Sequence, residues 1–155
     1  MEIDSRSDNQ HPATPDEQIV ATVILGMCTH RDWSEFTDKY QARVLVCSDC
    51  RSEFRFPDWS PRDPQVSPSD YLLRFVPHAA QDELLAVTVV RRIEAEGWTA
   101  MMRSGPNGFV QIFSKNGVRY TSSPGQTKAA AICEVGAQLA RSGLLKVEFV
   151  DKPRP

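Results

Sequence analysis

The chain has 155 residues, of which 41% are hydrophobic and 25% charged, so it is long enough to bury a core as one ordinary domain. Its formal net charge of −2 gives no overall attraction to nucleic acid or to an anionic membrane. No apolar run approaches the roughly 20 residues of a membrane-spanning helix, and the polar N-terminus is not a signal peptide, so we expect a cytoplasmic protein in a reducing compartment.

The first 56 residues predict a tail, a helix and a cysteine-rich segment, in that order. Residues 1–13 are polar and lack periodicity, which predicts a disordered tail. Within 14–26, Thr14 and Glu17 have the spacing of a capping box and a glycine stands at the end, so this segment predicts an N-terminal helix. The segment 27–56 then contains three of the four cysteines.

Downstream, a proline-rich linker at 57–70 leads into an α/β domain over 71–150, and 151–155 are expected to form a second tail. Asn116-Gly117 predicts a two-residue hairpin turn. The strand expected at 109–114 is apolar on both faces, which predicts helices on both faces of the sheet. The fold class is therefore α/β (α+β), an α/β/α sandwich. Periodicity and turn residues predict the order β-α-β-β-β-α-β, with strands at 71–76, 98–103, 109–114, 118–121 and 144–150 and helices at 79–96 and 123–142.

Two short pairs of metal-ligand residues, Cys28-x-His30 and Cys47-x-x-Cys50, lie sixteen residues apart. Such pairs, each on a turn, supply the four ligands of a tetrahedral zinc ion. A strand expected at 43–46 leads to the second pair and 53–56 can return beside it, which predicts a small zinc-ribbon-like insertion. With four protein ligands, the zinc would be structural.

Alternatives to this zinc site stay open on sequence alone. The cysteines can be unrelated buried thiols or a redox pair, although a redox C-x-x-C is expected at the head of a helix and no helical pattern follows Cys50. The C-x-H spacing is tighter than the commoner C-x-x-C, so whether His30 is a ligand is also open. Cys133 stands alone in an apolar run and is expected to pack in the core.

A second candidate site lies between Gly97 and Cys133, a segment that has no Asp or Glu and carries a charge of +4. Its loop of small residues enters a helix, where free backbone N–H groups and the positive helix end favour an anion. An aromatic ring would offer a nucleotide base a stacking face. The alternative is that the serine only caps the helix and the aromatic residues belong to the core. The predicted ligand-binding residues are Arg103, Arg119, Tyr120, Ser123, Gln126, Thr127 and Lys128.

Three segments of the chain resemble the phage ABA-sandwich-domain proteins. They are EQIVATVILG at 17–26, AAQDELLAVTVVRRIEAEGW at 79–98 and SPGQTKAAAICEVGA at 123–137. The resemblance implies an α/β/α sandwich, a phage or prophage origin and thus the cytoplasm of a bacterial host, and it implies no known catalytic residues. The cysteine-rich segment departs from the part of the pattern that carries the likeness.

Together these features predict a small, zinc-containing, non-enzymatic binding protein of phage or prophage origin. The expected function is antagonism of host defence by sequestering a nucleotide-type anionic ligand. The alternative is an adaptor that binds a protein or a nucleic acid through the zinc-ribbon segment. Nucleic acid is the weaker form of that alternative because basic and acidic residues balance in the segment. No membrane partner is expected, and a homo-oligomer is left open.

Overall fold

The computed structural model describes residues 11–57, 66–125 and 127–145. The chain divides into two compact units, each with its own core. The first, called here the cysteine unit, comprises Cys28–Val76 and the chain before Thr14. The second, called the helical unit, comprises Thr14–Met27 and the chain from Pro77 onward.

Helices and strands alternate in groups along the chain, and the protein belongs to the α+β class. The strands form two antiparallel three-stranded sheets, in the orders β1-β2-β3 and β4-β5-β6. In chain order the elements are α1 (Pro15–Ile19), continued by a π-helical segment (Val20–Ile24), β1 (Trp33–Thr37), β2 (Arg43–Cys47), β3 (Glu53–Phe56), α2 (Pro68–Leu73), α3 (Glu83–Ala95), β4 (Thr99–Gly105), β5 (Gly108–Lys115), β6 (Val118–Thr121) and α4 (Lys128–Ser142).

The cysteine unit packs α2 against one face of its sheet. Residues directly opposite each other on neighbouring strands share a face of the sheet, so Leu45 of β2 and Phe54 of β3 lie on the same face. Tyr71 of α2 meets Phe56 edge to face at 5.3 Å between ring centroids, and its hydroxyl donates to the Arg55 carbonyl at 3.1 Å. The resulting core consists of Leu45, Phe54, Phe56, Tyr71 and Leu72.

The helical unit packs α3, α4 and the N-terminal helix around one face of the second sheet. Phe113 at the centre of β5 is fully buried among them. At Gly136 of α4, a Cβ would lie 3.4 Å from Ile24 and Val89, so this helix packs directly against both neighbours. On the opposite face of the sheet, Met101 is 46% exposed.

The buried carboxylate of Glu17 connects the N-terminal helix to the segment that precedes α3. Thr14 and Glu17 form the capping box expected from their spacing. The Glu17 carboxylate also accepts a hydrogen bond from the Ala80 backbone N–H at 3.1 Å, just ahead of α3. Because a buried carboxylate is stable only with such donors, this contact fixes the N-terminal helix beside α3.

The strand predicted at 71–76 is wrong, since residues 71–73 end α2 and residues 74–76 form the turn that follows it. Ser67 caps the helix by accepting from the Asp70 N–H at 3.1 Å, and Pro68 occupies its first turn. Both residues are strong helix-start signals. A short apolar run of this kind fits a strand or a helix, and in the structure Tyr71, Leu72 and Phe75 reach the core at helical spacing.

Both long helices begin later than predicted. The helix expected over 79–96 starts at Glu83, because the Asp82 carboxylate caps it by accepting from the N–H groups of Leu84 and Leu85. The helix expected from residue 123 starts at Lys128. There the preceding loop is held extended by hydrogen bonds in both directions between Phe109 and Gly125, at 2.9 and 2.8 Å.

The remaining strands of the second sheet lie close to their predicted positions. Asn116 and Gly117 have φ of 51° and 82°, as a tight hairpin of this kind requires. The expected last strand at 144–150 does not begin at residues 144–145, and 146–150 lie outside the described residues. Helices on both faces of the sheet, and hence the specific sandwich order, are not confirmed among the described residues.

Candidate metal centre

The predicted ligand residues Cys28, His30, Cys47 and Cys50 come together in the cysteine unit. Their ligand atoms all lie within 4.8 Å of one another. Cys28 and His30 belong to the loop before β1, Cys47 is the last residue of β2, and Cys50 lies in the turn before β3. None of the four cysteines of the chain forms a disulfide.

The turn between β2 and β3 is shaped to hold the second pair of ligands. The Cys47 N–H donates to the Ser52 carbonyl at 3.0 Å, and the Arg51 N–H donates back to the Cys47 carbonyl at 2.9 Å. Arg51 has a φ of 65°, which reverses the chain directly after Cys50. The turn therefore directs both thiols to the same side, as two ligands of one ion require.

The loop before β1 makes a similar reversal within fewer residues. His30 has a φ of 56°, in the left-handed region that few non-glycine residues adopt. Its backbone N–H points at the Cys28 sulfur, at 3.3 Å. The two loops are joined by a hydrogen bond of 2.7 Å from the Ser48 N–H to the Asp32 carbonyl. The two ligand pairs are thus held face to face by backbone contacts.

Two distances within the cluster are close to the edges of a tetrahedron around a metal ion. Cys28 Sγ lies 3.5 Å from Cys47 Sγ, and Cys50 Sγ lies 3.5 Å from His30 Nδ1. Zinc bonds of about 2.3 Å to sulfur and about 2.0–2.1 Å to nitrogen place tetrahedral ligands about 3.8 Å apart for two sulfurs and about 3.5 Å apart for sulfur and nitrogen. These two edges of the cluster are thus close to the lengths that a tetrahedral zinc ion requires.

Burial and the closeness of the three thiols govern the ionisation of the cluster. Burial is the largest of the causes that raise the pKa of the Cys28 thiol to about 12; the nearby Cys47 and Cys50 sulfurs add to it, and the His30 backbone N–H opposes it. Burial also opposes ionisation of Cys50, but donors from Ser52 and the other thiols outweigh it and lower the pKa of Cys50. Burial lowers the pKa of His30, which favours the neutral imidazole that metals bind. A bound cation would relieve the repulsion among the thiolates.

Ser52 is a residue of this site that sequence reasoning missed. Its hydroxyl oxygen lies 3.2 Å from the Cys50 sulfur, within reach to donate to a thiolate. Hydrogen bonds of this kind orient metal ligands and tune their basicity. A serine two positions after the last ligand of a C-x-x-C pair is the only signal that the sequence offered.

The described residues of the predicted anion site lie on both faces of the second sheet and around the start of α4. Arg103 and Arg119 lie on one face of the second sheet, by strand alternation, and Tyr120 lies on the other, 6.2 Å from Trp98 between ring centroids. Thr127 caps α4 by accepting from the Ala130 N–H. Lys128 Nζ lies 5.9 Å from the Phe109 ring centroid. Gln126 lies outside the described residues.

The backbone donor at the proposed anion loop already has an anionic partner. Ser123 donates to the Glu134 carboxylate twice, from its N–H at 3.0 Å and from its hydroxyl at 2.6 Å. Sequence reasoning missed Glu134 because the acid-free segment ends one residue before it. The Glu134 carboxylate therefore occupies the Ser123 donors that the predicted anionic ligand would need.

Cys133 lies in the core of the helical unit, as expected, and burial raises the pKa of its thiol to about 12.

None of the described helices is both long and apolar enough to cross a membrane. Comparisons of the chain with protein-family models, with curated proteins and with solved structures find no match.

Proposed function

We propose that this chain is a non-enzymatic adaptor whose cysteine unit is held together by one structural zinc ion. The single observation that carries the proposal is the convergence of three thiols and one imidazole within 4.8 Å. Thiolate and imidazole ligands in a tetrahedral set of four suit zinc above the hard cations calcium and magnesium, which bind oxygen.

A structural role follows from the number of ligands. Catalytic zinc sites keep one position for water or substrate, whereas four protein ligands fill the tetrahedron. The ligands also come from two separate loops, and Cys47 follows Cys28 by nineteen residues. An ion that joins them closes that part of the chain, so its binding energy becomes folding energy.

The adaptor form is supported by exposed aromatic residues in the cysteine unit. Phe36 on β1 is 44% exposed, and Tyr40 in the turn after it is 72% exposed. Among the described strands, β1 pairs only with β2, so its other edge carries backbone groups that a partner strand can bind. Aromatic residues are enriched at protein interfaces. A protein partner is therefore the form of the proposal that these residues favour.

Nucleic acid receives less support from the same surface. The Arg43 side chain binds the Glu35 carboxylate at 2.6 Å, and Arg55 lies 3.7 Å from Asp38. Ion pairs of this kind reduce the charge offered to phosphates. Over residues 31–55 five basic residues face five acidic ones, namely Arg31, Lys39, Arg43, Arg51 and Arg55 against Asp32, Glu35, Asp38, Asp49 and Glu53.

Sequestration of a nucleotide-type ligand, with a phage origin and a role against host defence, stays a prediction from sequence. The Glu134 carboxylate on the Ser123 loop weakens its physical basis. Melting temperatures measured against a panel of nucleotides separate the two functions. The adaptor proposal expects no shift with any nucleotide, and a specific shift would favour sequestration instead.

Native mass spectrometry of the purified protein tests the zinc proposal directly. We expect the mass of one zinc ion per chain, lost on treatment with a chelator and absent from the Cys47→Ser variant. The Cys133→Ser variant makes the same chemical change outside the site and should retain the ion. A metal-free wild-type protein that resists reloading with zinc would overturn the proposal.

A further inference from the structure

The short C-x-H spacing raises the question of which His30 nitrogen can reach the ion. We infer that His30 binds the metal through Nδ1 and carries its ring proton on Nε2. The inference rests on the proposed zinc site, and it assigns a ligand atom and a tautomer that the sequence leaves open.

The first support is the orientation of the imidazole ring. Nδ1 lies 3.5 Å from Cys50 Sγ, the distance that a sulfur and a nitrogen ligand of one tetrahedral zinc ion have, at about 3.5 Å. The lone pairs of the two ring nitrogens point in different directions, so only one of them can face a given ion. With Nδ1 at the cluster, Nε2 is directed away from it.

The second support is the reach of the side chain from this backbone. Cys50 follows Cys47 by three residues, whereas His30 follows Cys28 by only two. The left-handed φ of 56° at His30 and the 3.3 Å contact from its N–H to the Cys28 sulfur make the turn correspondingly tight. Nδ1 is one bond farther from its Cα than a cysteine sulfur, which compensates for the missing residue. Nε2 is farther still and would overshoot an ion at this distance.

The third support is the packing that holds the ring. The imidazole lies against Phe54 with 4.9 Å between ring centroids and 62° between ring planes, an edge-on contact. Phe54 belongs to β3 and to the core of the cysteine unit, so its position is fixed by the sheet. Exchanging Nδ1 for Nε2 would require rotation of the His30 ring against this neighbour.

The assignment has a consequence for the surface of the cysteine unit. A neutral imidazole bound through Nδ1 keeps an Nε2–H donor. His30 is only half-buried, and its Nε2–H is directed away from the ligand cluster. A bound metal would thus hold the Nε2–H donor of His30 in a fixed position on the adaptor. Loss of the metal would free the His30 ring to move.

Substitution of the site with ¹¹³Cd²⁺ tests the assignment by proton–cadmium NMR. Couplings through three bonds reach only the Hε1 proton when cadmium is on Nδ1, but both Hε1 and Hδ2 when it is on Nε2. We expect Hε1 alone for His30, together with the β-protons of Cys28, Cys47 and Cys50. His11 and His78 are internal controls that should show no coupling.

A two-bond proton–nitrogen spectrum of the zinc-loaded protein repeats the test with the proposed ion. It should identify Nε2 of His30 as the protonated nitrogen. Coupling to Hδ2 would overturn the Nδ1 inference and leave the four-ligand zinc proposal intact. No coupling to His30 while the three cysteines respond would overturn the inference and also the argument from four ligands, although metal binding by the cysteines would stand. A protein that binds neither ion would defeat the zinc proposal itself, and the inference with it.

Discussion

Loss of the metal should unfold the cysteine unit and leave the helical unit folded. The perturbation is the Cys47→Ser substitution, which removes a fully buried ligand at the end of β2. Each unit has a separate core, so the damage is expected to stay within the unit that loses its ion. The same result is expected when the wild-type protein is treated with a chelator.

The magnitude follows from the small core of the cysteine unit, whose hydrophobic cluster contains five buried residues among those that the structure describes. At about 1.5–3 kcal/mol per buried side chain, five residues contribute about 8–15 kcal/mol. A structural zinc site contributes about 10–16 kcal/mol, so its loss removes roughly half of these favourable terms. The conformational entropy that opposes folding is unchanged, and net stabilities are only about 5–15 kcal/mol. The unit should therefore unfold completely.

Hydrogen exchange resolved by segment is the assay for this prediction. We expect the amides of β2 and β3 to lose protection on metal removal while those of α3 and α4 keep theirs. The Cys133→Ser variant is the matched control, because it should weaken the helical unit and leave zinc and the sheet of the cysteine unit in place. If β2 and β3 stayed protected without any metal, the hydrophobic core would suffice, and the reasoning about zinc would be refuted.

Three further predictions concern the helical unit and the pH dependence of the site. Gly108→Ala should lower the free energy of unfolding by at least about 2 kcal/mol, because its φ is 118° and a Cβ would lie 2.4 Å from the Gly125 carbonyl oxygen. Gly105→Ala in the same hairpin meets nothing within 4 Å and should change little, as chemical denaturation would show. Glu17→Gln should cost about 1–3 kcal/mol in the same measurement, because Gln has one acceptor oxygen whereas the two oxygens of Glu17 accept separately from the N–H groups of Thr14 and Ala80, and a variant as stable as the wild type would contradict this. Zinc affinity should fall at least about tenfold for each unit of decreasing pH. The reason is that burial raises the pKa of the Cys28 thiol to about 12, so a proton must leave this thiol when zinc binds. Competition with a chromophoric chelator at about pH 6 and about pH 8 measures this, and equal affinities would count against metal binding by that thiol.

Local signals predicted the parts of the fold that depend on neighbouring residues. The capping box at Thr14, the Asn116-Gly117 hairpin and the end of α4 at Gly143, with a φ of 75°, each need only a few consecutive residues. The ligand residues were likewise predicted as two short pairs. Their convergence to within 4.8 Å agrees with the expectation of a metal site, without identifying the metal.

Signals that depended on distant contacts were misread. The start of α4 was placed at Ser123 because serine and proline favour a helix start. In the structure, Gly125 pairs with Phe109 and Ser123 with Glu134, which keeps this loop out of the helix. Likewise, the sequence predicts a strand at 71–76, where α2 ends, because a short apolar run fits a strand as well as a helix.

By itself, the sequence determined the ligand types, their spacing, most strands of the second sheet and the class of the fold, because each of these depends on local conformation or on side-chain chemistry. Only the tertiary structure decided that Tyr120 lies on the opposite face of its sheet from Arg103 and Arg119, that Ser52 reaches Cys50, and that His30 turns Nδ1 to the cluster. These depend on side-chain directions and long-range pairing. Such features are set by the packing of whole elements, which no single stretch of the chain specifies.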